Sequence, residues 1–124
     1  MSHNGYLFDE RLDRAFLDSM FEGDKEHAEM VFAQFLELAP AQMQEVENRF
    51  QLGVLEEFRQ KVHKIKPVFS FVGLTQLTEL AEQLEKNCRE AGSMQDISPL
   101  YLEFKNIYRN FLPVIEQEYS RLKA

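Results

Sequence analysis

Apolar residues recur at helical spacing along most of the chain. Between Asp24 and Leu52 they fall at Ala28, Val31, Phe35, Ala39, Met43, Val46 and Phe50, one stripe of a long amphipathic helix. Gly23 and Asp24 supply a stop and an N-cap before it, and Gly53 ends it. Pro40 lies inside the stripe and predicts a bend. The next segment, Val54–Phe69, places Leu55, Phe58, Val62, Ile65 and Phe69 on one face. Leu74, Leu77, Leu80, Leu84, Cys88 and Ala91 form another stripe, closed by Gly92. Ser98 and Pro99 read as N-cap and first position of a last helix. That helix carries Leu100, Phe104, Ile107, Phe111, Ile115 and Leu122, with a kink predicted at Pro113. A short first helix, about Asp9–Met20, offers Leu12, Ala15 and Phe16. No segment alternates as a strand does. Short loops around Gly23, Gly53, Ser70–Leu74 and Gly92–Ser98 imply antiparallel neighbours. The prediction is an all-α fold: an up-down four-helix bundle with a short additional N-terminal helix. It forms one domain over residues 1–124, with 1–8 a flexible terminus. No internal repeat, low-complexity tract or linker interrupts it.

Composition narrows the class. The 124 residues carry 14 Lys and Arg against 21 Asp and Glu, a net charge of −7. An acidic chain is a poor general nucleic-acid binder, because neutralising phosphates needs a basic face. The hydrophobic fraction, 44%, suits a packed core and excludes a disordered chain. A single cysteine, Cys88, precludes an intramolecular disulfide and cysteine-based zinc sites, and fits a reducing compartment. No run of about 18 apolar residues marks a membrane span. Met1–Gly5 lacks the pattern of a signal peptide. These features predict a soluble, cytoplasmic monomer.

Three histidines are candidates for chemistry. His3 sits near the terminus, and His27 follows Asp24 in the first turn of its helix, so both read as solvated residues. Cys88, on an apolar stripe, reads as a buried small hydrophobe. His63 differs. At 100° per residue it lies about 120° from the centre of its helix's apolar stripe, so it projects from the surface. The window Arg59–Lys66 holds four Lys and Arg and no acid, leaving 10 basic against 21 acidic residues elsewhere. An exposed imidazole in a local basic patch is a small anion site. Unprotonated imidazole is a competent nucleophile near neutral pH, and nearby lysines offset charge on a phosphoryl group. Arg59, Lys64 and Lys66 are the candidate cations, with Arg59 and Lys66 at helical spacing from His63. The chain holds no Glu-x-x-His, which a di-metal carboxylate bundle needs. It holds no Gly-x-Ser-x-Gly hydrolase elbow either. No metal or cofactor is expected.

The stretch His63-Lys64-Ile65-Lys66, with Gly73 ten residues after the histidine, resembles the signature of histidine phosphotransfer (HPt) domains. The following helix, LTQLTELAEQLEKNCREAG, and the upstream FAQFLELAPAQMQEVENRF, with its mid-helix proline, are similar to the family's. The resemblance covers Asp9 to Gly92, and the last helix by pattern alone. It implies that His63 is the phosphoacceptor, that Lys66 steadies the phosphoryl group, and that Gly73 starts the helix beside it. It also implies a phosphocarrier rather than a stand-alone enzyme. Its partners would be response-regulator receiver domains and a sensor or hybrid histidine kinase, with Mg²⁺ in the receiver rather than in this chain.

Two positions depart from the pattern. Pro67 stands where the family has glycine, removes the backbone hydrogen bond to the carbonyl of His63, and predicts a kink beside the site. Val68, off the apolar stripe, predicts added apolar surface on the docking face together with Phe71. Ser70 closes the helix. Pro67 motivates an alternative: an HPt-like adaptor or inhibitor that binds a receiver or kinase without transferring phosphate.

Overall fold

The computed structural model describes residues 6–124. The described residues form five helices: α1 Arg14–Phe21, α2 Lys25–Leu52, α3 Leu55–Ser70, α4 Thr75–Glu90 and α5 Met94–Lys123. Helices α2 to α5 pack in a closed ring, α3 against α2 and α4, and α5 against the same two. The helix α1 rests on α2. This all-helical architecture is the one the apolar spacing predicts.

Local chemistry sets most of the boundaries. Asp24 accepts a hydrogen bond from the His27 amide, 3.0 Å, and so caps α2. Gly53 closes α2 at φ +75°, a conformation that spares glycine the clash with a Cβ. The helices run unbroken through Pro40, Pro67, Pro99 and Pro113.

The last helix starts earlier than Ser98-Pro99 suggests. Asp96 accepts from the amides of Gly92, 2.9 Å, and Ser93, 3.3 Å, so the cap forms at Ser93 and α5 begins at Met94. Pro99 then sits inside α5 as its sixth residue, where it leaves the Gln95 carbonyl without its helical donor. The first helix also shifts. Asp13 caps it, accepting from the Phe16 amide at 3.1 Å, and its buried residues are Leu17 and Phe21. Ala15 and Phe16, expected on the inner face, are exposed.

The core is aromatic. Phe69 lies at its middle, with ring centroids of Phe35, Phe104 and Tyr108 at 6.3, 5.7 and 6.2 Å. On α2 the buried face takes Phe32, with Val31 only half-buried. On α4 it takes Ala81 rather than Leu80. Val68, expected as surface, is buried, because α2 covers that side of α3 with Phe35 and Leu38.

Of the terminus expected over residues 1–8, residues 6–8 are described and lie against the bundle; residues 1–5, including His3, lie outside the described residues. Phe8 is buried between Phe21 and Phe32, at 6.0 and 6.1 Å. Tyr6 donates to the carboxylate of Glu118, and Arg121 donates to the Leu7 carbonyl at 2.9 Å. No described helix is long and apolar enough to cross a membrane.

Candidate functional site

Helix α3 presents His63 outward, with 67% of its side chain exposed. Its Nδ1 lies 2.8 Å from Oε1 of Glu85 on α4. The other oxygen of that carboxylate, Oε2, forms an ion pair with Lys66 Nζ at 2.8 Å. One acid on α4 therefore joins two residues of α3 that stand three positions apart. Glu85 is almost wholly buried, 4% exposed. Burial pushes its carboxyl up, but the contacts from Lys66 and His63 outweigh burial and hold it below the ordinary carboxylate range. The carboxylate is thus ionised at neutral pH and accepts only. The hydrogen between it and the imidazole must belong to Nδ1, which leaves Nε2 with its lone pair in the neutral ring.

The remaining residues that the sequence singles out divide. Arg59 is committed to Glu56, bidentate at 3.0 and 2.5 Å. Lys64 is largely exposed and 3.9 Å from Glu45, which pairs more closely with Lys61 at 3.2 Å. The basic window is therefore balanced in space by Glu45, Glu56 and Glu85, and the bare basic patch suggested by the sequence does not persist in the fold. Pro67 is exposed four residues after His63. Ser70 ends α3, its hydroxyl 3.2 Å from that of Thr78. Phe71 is 48% exposed and, with Leu38, Gln34 and Val31, edges a cleft of about 70 Å³ whose floor is Val68 and Phe35. Val68 thus belongs beneath this surface rather than on it.

His27 is exposed and its ring lies against Phe21, with centroids 5.1 Å apart. Cys88 is buried, and burial pushes its thiol up to about 11, which disfavours the thiolate at neutral pH. Among the described residues, no three His, Cys, Asp or Glu side chains converge as metal ligands would.

Gly73 fixes how α3 turns into α4. Its φ is +74°, and a Cβ there would meet Leu17 Cδ1 at 3.0 Å and the Asp13 amide nitrogen at 3.1 Å. The Asp13 amide donates to its carbonyl at 2.9 Å, and Thr75 donates to the Asp13 carboxylate at 2.9 Å. Helix α1 therefore clasps the turn that brings Glu85 beside His63.

Glu85 is the residue that the sequence reading missed. The signal was present: Leu77, Ala81 and Glu85 follow at steps of four, so an acid interrupts an apolar stripe. A carboxylate in such a position needs cationic partners on a neighbouring helix, and α3 holds them.

A family model described as Hpt domain matches residues 30–124, and the chain belongs to that family. Hpt domains are phosphocarriers in the histidine phosphotransfer of phosphorelays, and they work with receiver domains and kinases of two-component systems. No curated protein and no solved structure matches the chain.

Proposed function

We propose that the protein is a phosphorelay intermediate, with His63 accepting a phosphoryl group from the aspartyl phosphate of one receiver domain and yielding it to the aspartate of another. The observation that carries this reading is the exposed imidazole whose Nδ1 is tied to a buried carboxylate that also holds Lys66.

In this reading Nε2 is the nucleophile. It attacks phosphorus, the Nε2–P bond forms, and the P–O bond to the receiver's aspartate breaks, with the electron pair leaving on the carboxylate oxygen. Positive charge develops on the ring, which keeps its Nδ1 hydrogen, and the Glu85 carboxylate offsets that charge. The reverse sequence returns the group to an aspartate. Lys66, beside the ring, offsets charge on the phosphoryl oxygens. Lys64 is free enough to assist, whereas the pairing of Arg59 with Glu56 argues for a structural role. Docking uses the exposed apolar surface at Phe71 and Leu38, rimmed by polar residues. Magnesium belongs to the receiver, and the chain needs no cofactor of its own. The chain is a carrier in the cytoplasm that acts as a monomer.

The test is phosphorylation by phosphoramidate and by a phosphorylated receiver domain, read by intact mass. One acid-labile phosphoryl group is expected on the wild type and none on His63→Gln. Tight receiver binding with no modification of the wild type would replace this reading by that of a non-transferring adaptor.

A further inference from the structure

Pro67 lies four residues after His63 within α3. Proline has no N–H, so the His63 carbonyl has no main-chain donor at the position where a helix normally supplies one. Both residues are exposed, so this turn of α3 faces outward. Three of the four cationic side chains nearby are engaged elsewhere, and Lys64 is exposed. Arg59 holds Glu56, Lys66 holds Glu85 and Lys61 holds Glu45. In the isolated chain, water is the donor available to an outward-facing carbonyl.

We propose that Pro67 is a partner-selecting residue, which keeps the His63 carbonyl open as an acceptor for a hydrogen-bond donor on the docking receiver domain. This rests on the phosphorelay reading and specifies how the partner is chosen. Docking over His63 strips water from the carbonyl. A receiver with a donor at that point replaces the water. A receiver with an apolar or acidic group there leaves a buried acceptor unpaired and is penalised. The surface around Phe71 and Leu38 is apolar and gives little discrimination by itself; a single directional acceptor beside it gives more. The covalent step uses Nε2, Glu85 and Lys66, so this device acts on binding and leaves the transfer step to the other residues.

Pro67→Ala and Pro67→Leu separate the possibilities in the full chain. Both restore an N–H at position 67; leucine also keeps apolar bulk. Three measurements apply: hydrogen exchange of the new amide, loading by phosphoramidate, and KM and kcat for transfer from a phosphorylated receiver domain that loads the wild type. The new amide should be protected, showing that it now occupies the His63 carbonyl. Phosphoramidate loading and kcat should change less than about twofold while KM rises about tenfold in both variants, the loss of one hydrogen bond to the partner. An unchanged KM, or an unprotected amide, overturns the proposal. Normal transfer by Pro67→Leu beside impaired Pro67→Ala overturns it too, because apolar bulk and not the carbonyl would then matter. A loss of phosphoramidate loading would place the effect on the imidazole and is equally fatal. A wild type that phosphoramidate loads and no receiver does would sink the phosphorelay reading itself, a distinct result.

Discussion

Glu85 is the residue on which the site depends, because a nearly buried carboxylate is stable only while both of its partners remain. Lys66→Ala leaves it one cation short and should destabilise the fold by about 1–3 kcal/mol, measurable as a lower urea midpoint. His63→Gln keeps a donor within reach and removes little buried surface, so its stability should stay within about 0.5 kcal/mol of wild type. Glu85→Gln tests the tautomer directly. Nitrogen NMR of the His63 ring should show Nδ1–H in the wild type and a shift towards Nε2–H in the variant. An unchanged ring would remove Glu85 from the control of His63. The pH dependence has a definite sign. The folded-state value of Glu85 lies below the ordinary 4.5, so its contribution is complete above that value and is lost as pH falls through the lowered one. The stability difference between wild type and Glu85→Gln should therefore shrink as pH falls below about 4.5. His63 and Lys66 were legible in the sequence because a helix face follows from spacing alone. Glu85 was not, because it comes from the next helix and pairing between helices is set by the turn that joins them.

That turn makes the next scale up decisive. Gly73 combines a left-handed φ with close approach to Leu17 and Asp13. Gly73→Ala should cost about 2–4 kcal/mol, since it adds backbone strain to a clash with main chain that cannot swing away. A thermal midpoint within a degree of wild type would mean that the α1 clasp gives way freely. Pro67 acts oppositely. It weakens α3, and Pro67→Ala should raise stability by about 1–3 kcal/mol. A residue that destabilises its own helix at the docking surface is an expected signature of function. The helices themselves were legible from the 3.6-residue period, together with the caps at Asp24 and Gly53. The start of α5 was misread because Ser98-Pro99 mimics a helix start, while the operative cap depends on Asp96 reaching back to Gly92 and Ser93. Val68 was misread because a stripe drawn for one helix ignores how far its neighbour wraps around it.

For the molecule as a whole, the Hpt match begins at residue 30, yet the core does not. Phe8, Leu12, Leu17 and Phe21 are buried, and they cover Phe32 and the turn at Gly73. Glu118, 1% exposed, is held by Arg121 at 2.7 Å and by the Tyr6 hydroxyl, whose phenol burial and that carboxylate push up in pKa. Composition could not reveal this, since Tyr6 and Glu118 lie at opposite ends of the chain. Removing residues 1–23 would expose apolar surface worth about 1.5–3 kcal/mol for each large side chain lost from the core. It would also leave Glu118 with one partner. Against a domain stability of about 5–15 kcal/mol, the loss of four core side chains is a large perturbation. The truncated chain should therefore unfold at much lower urea and bind a hydrophobic dye, although His63, Lys66 and Glu85 all remain in it. If it instead kept its midpoint, the segment before α2 would be an accessory to the bundle. The clasp on Gly73 would then have no part in setting His63 against Glu85.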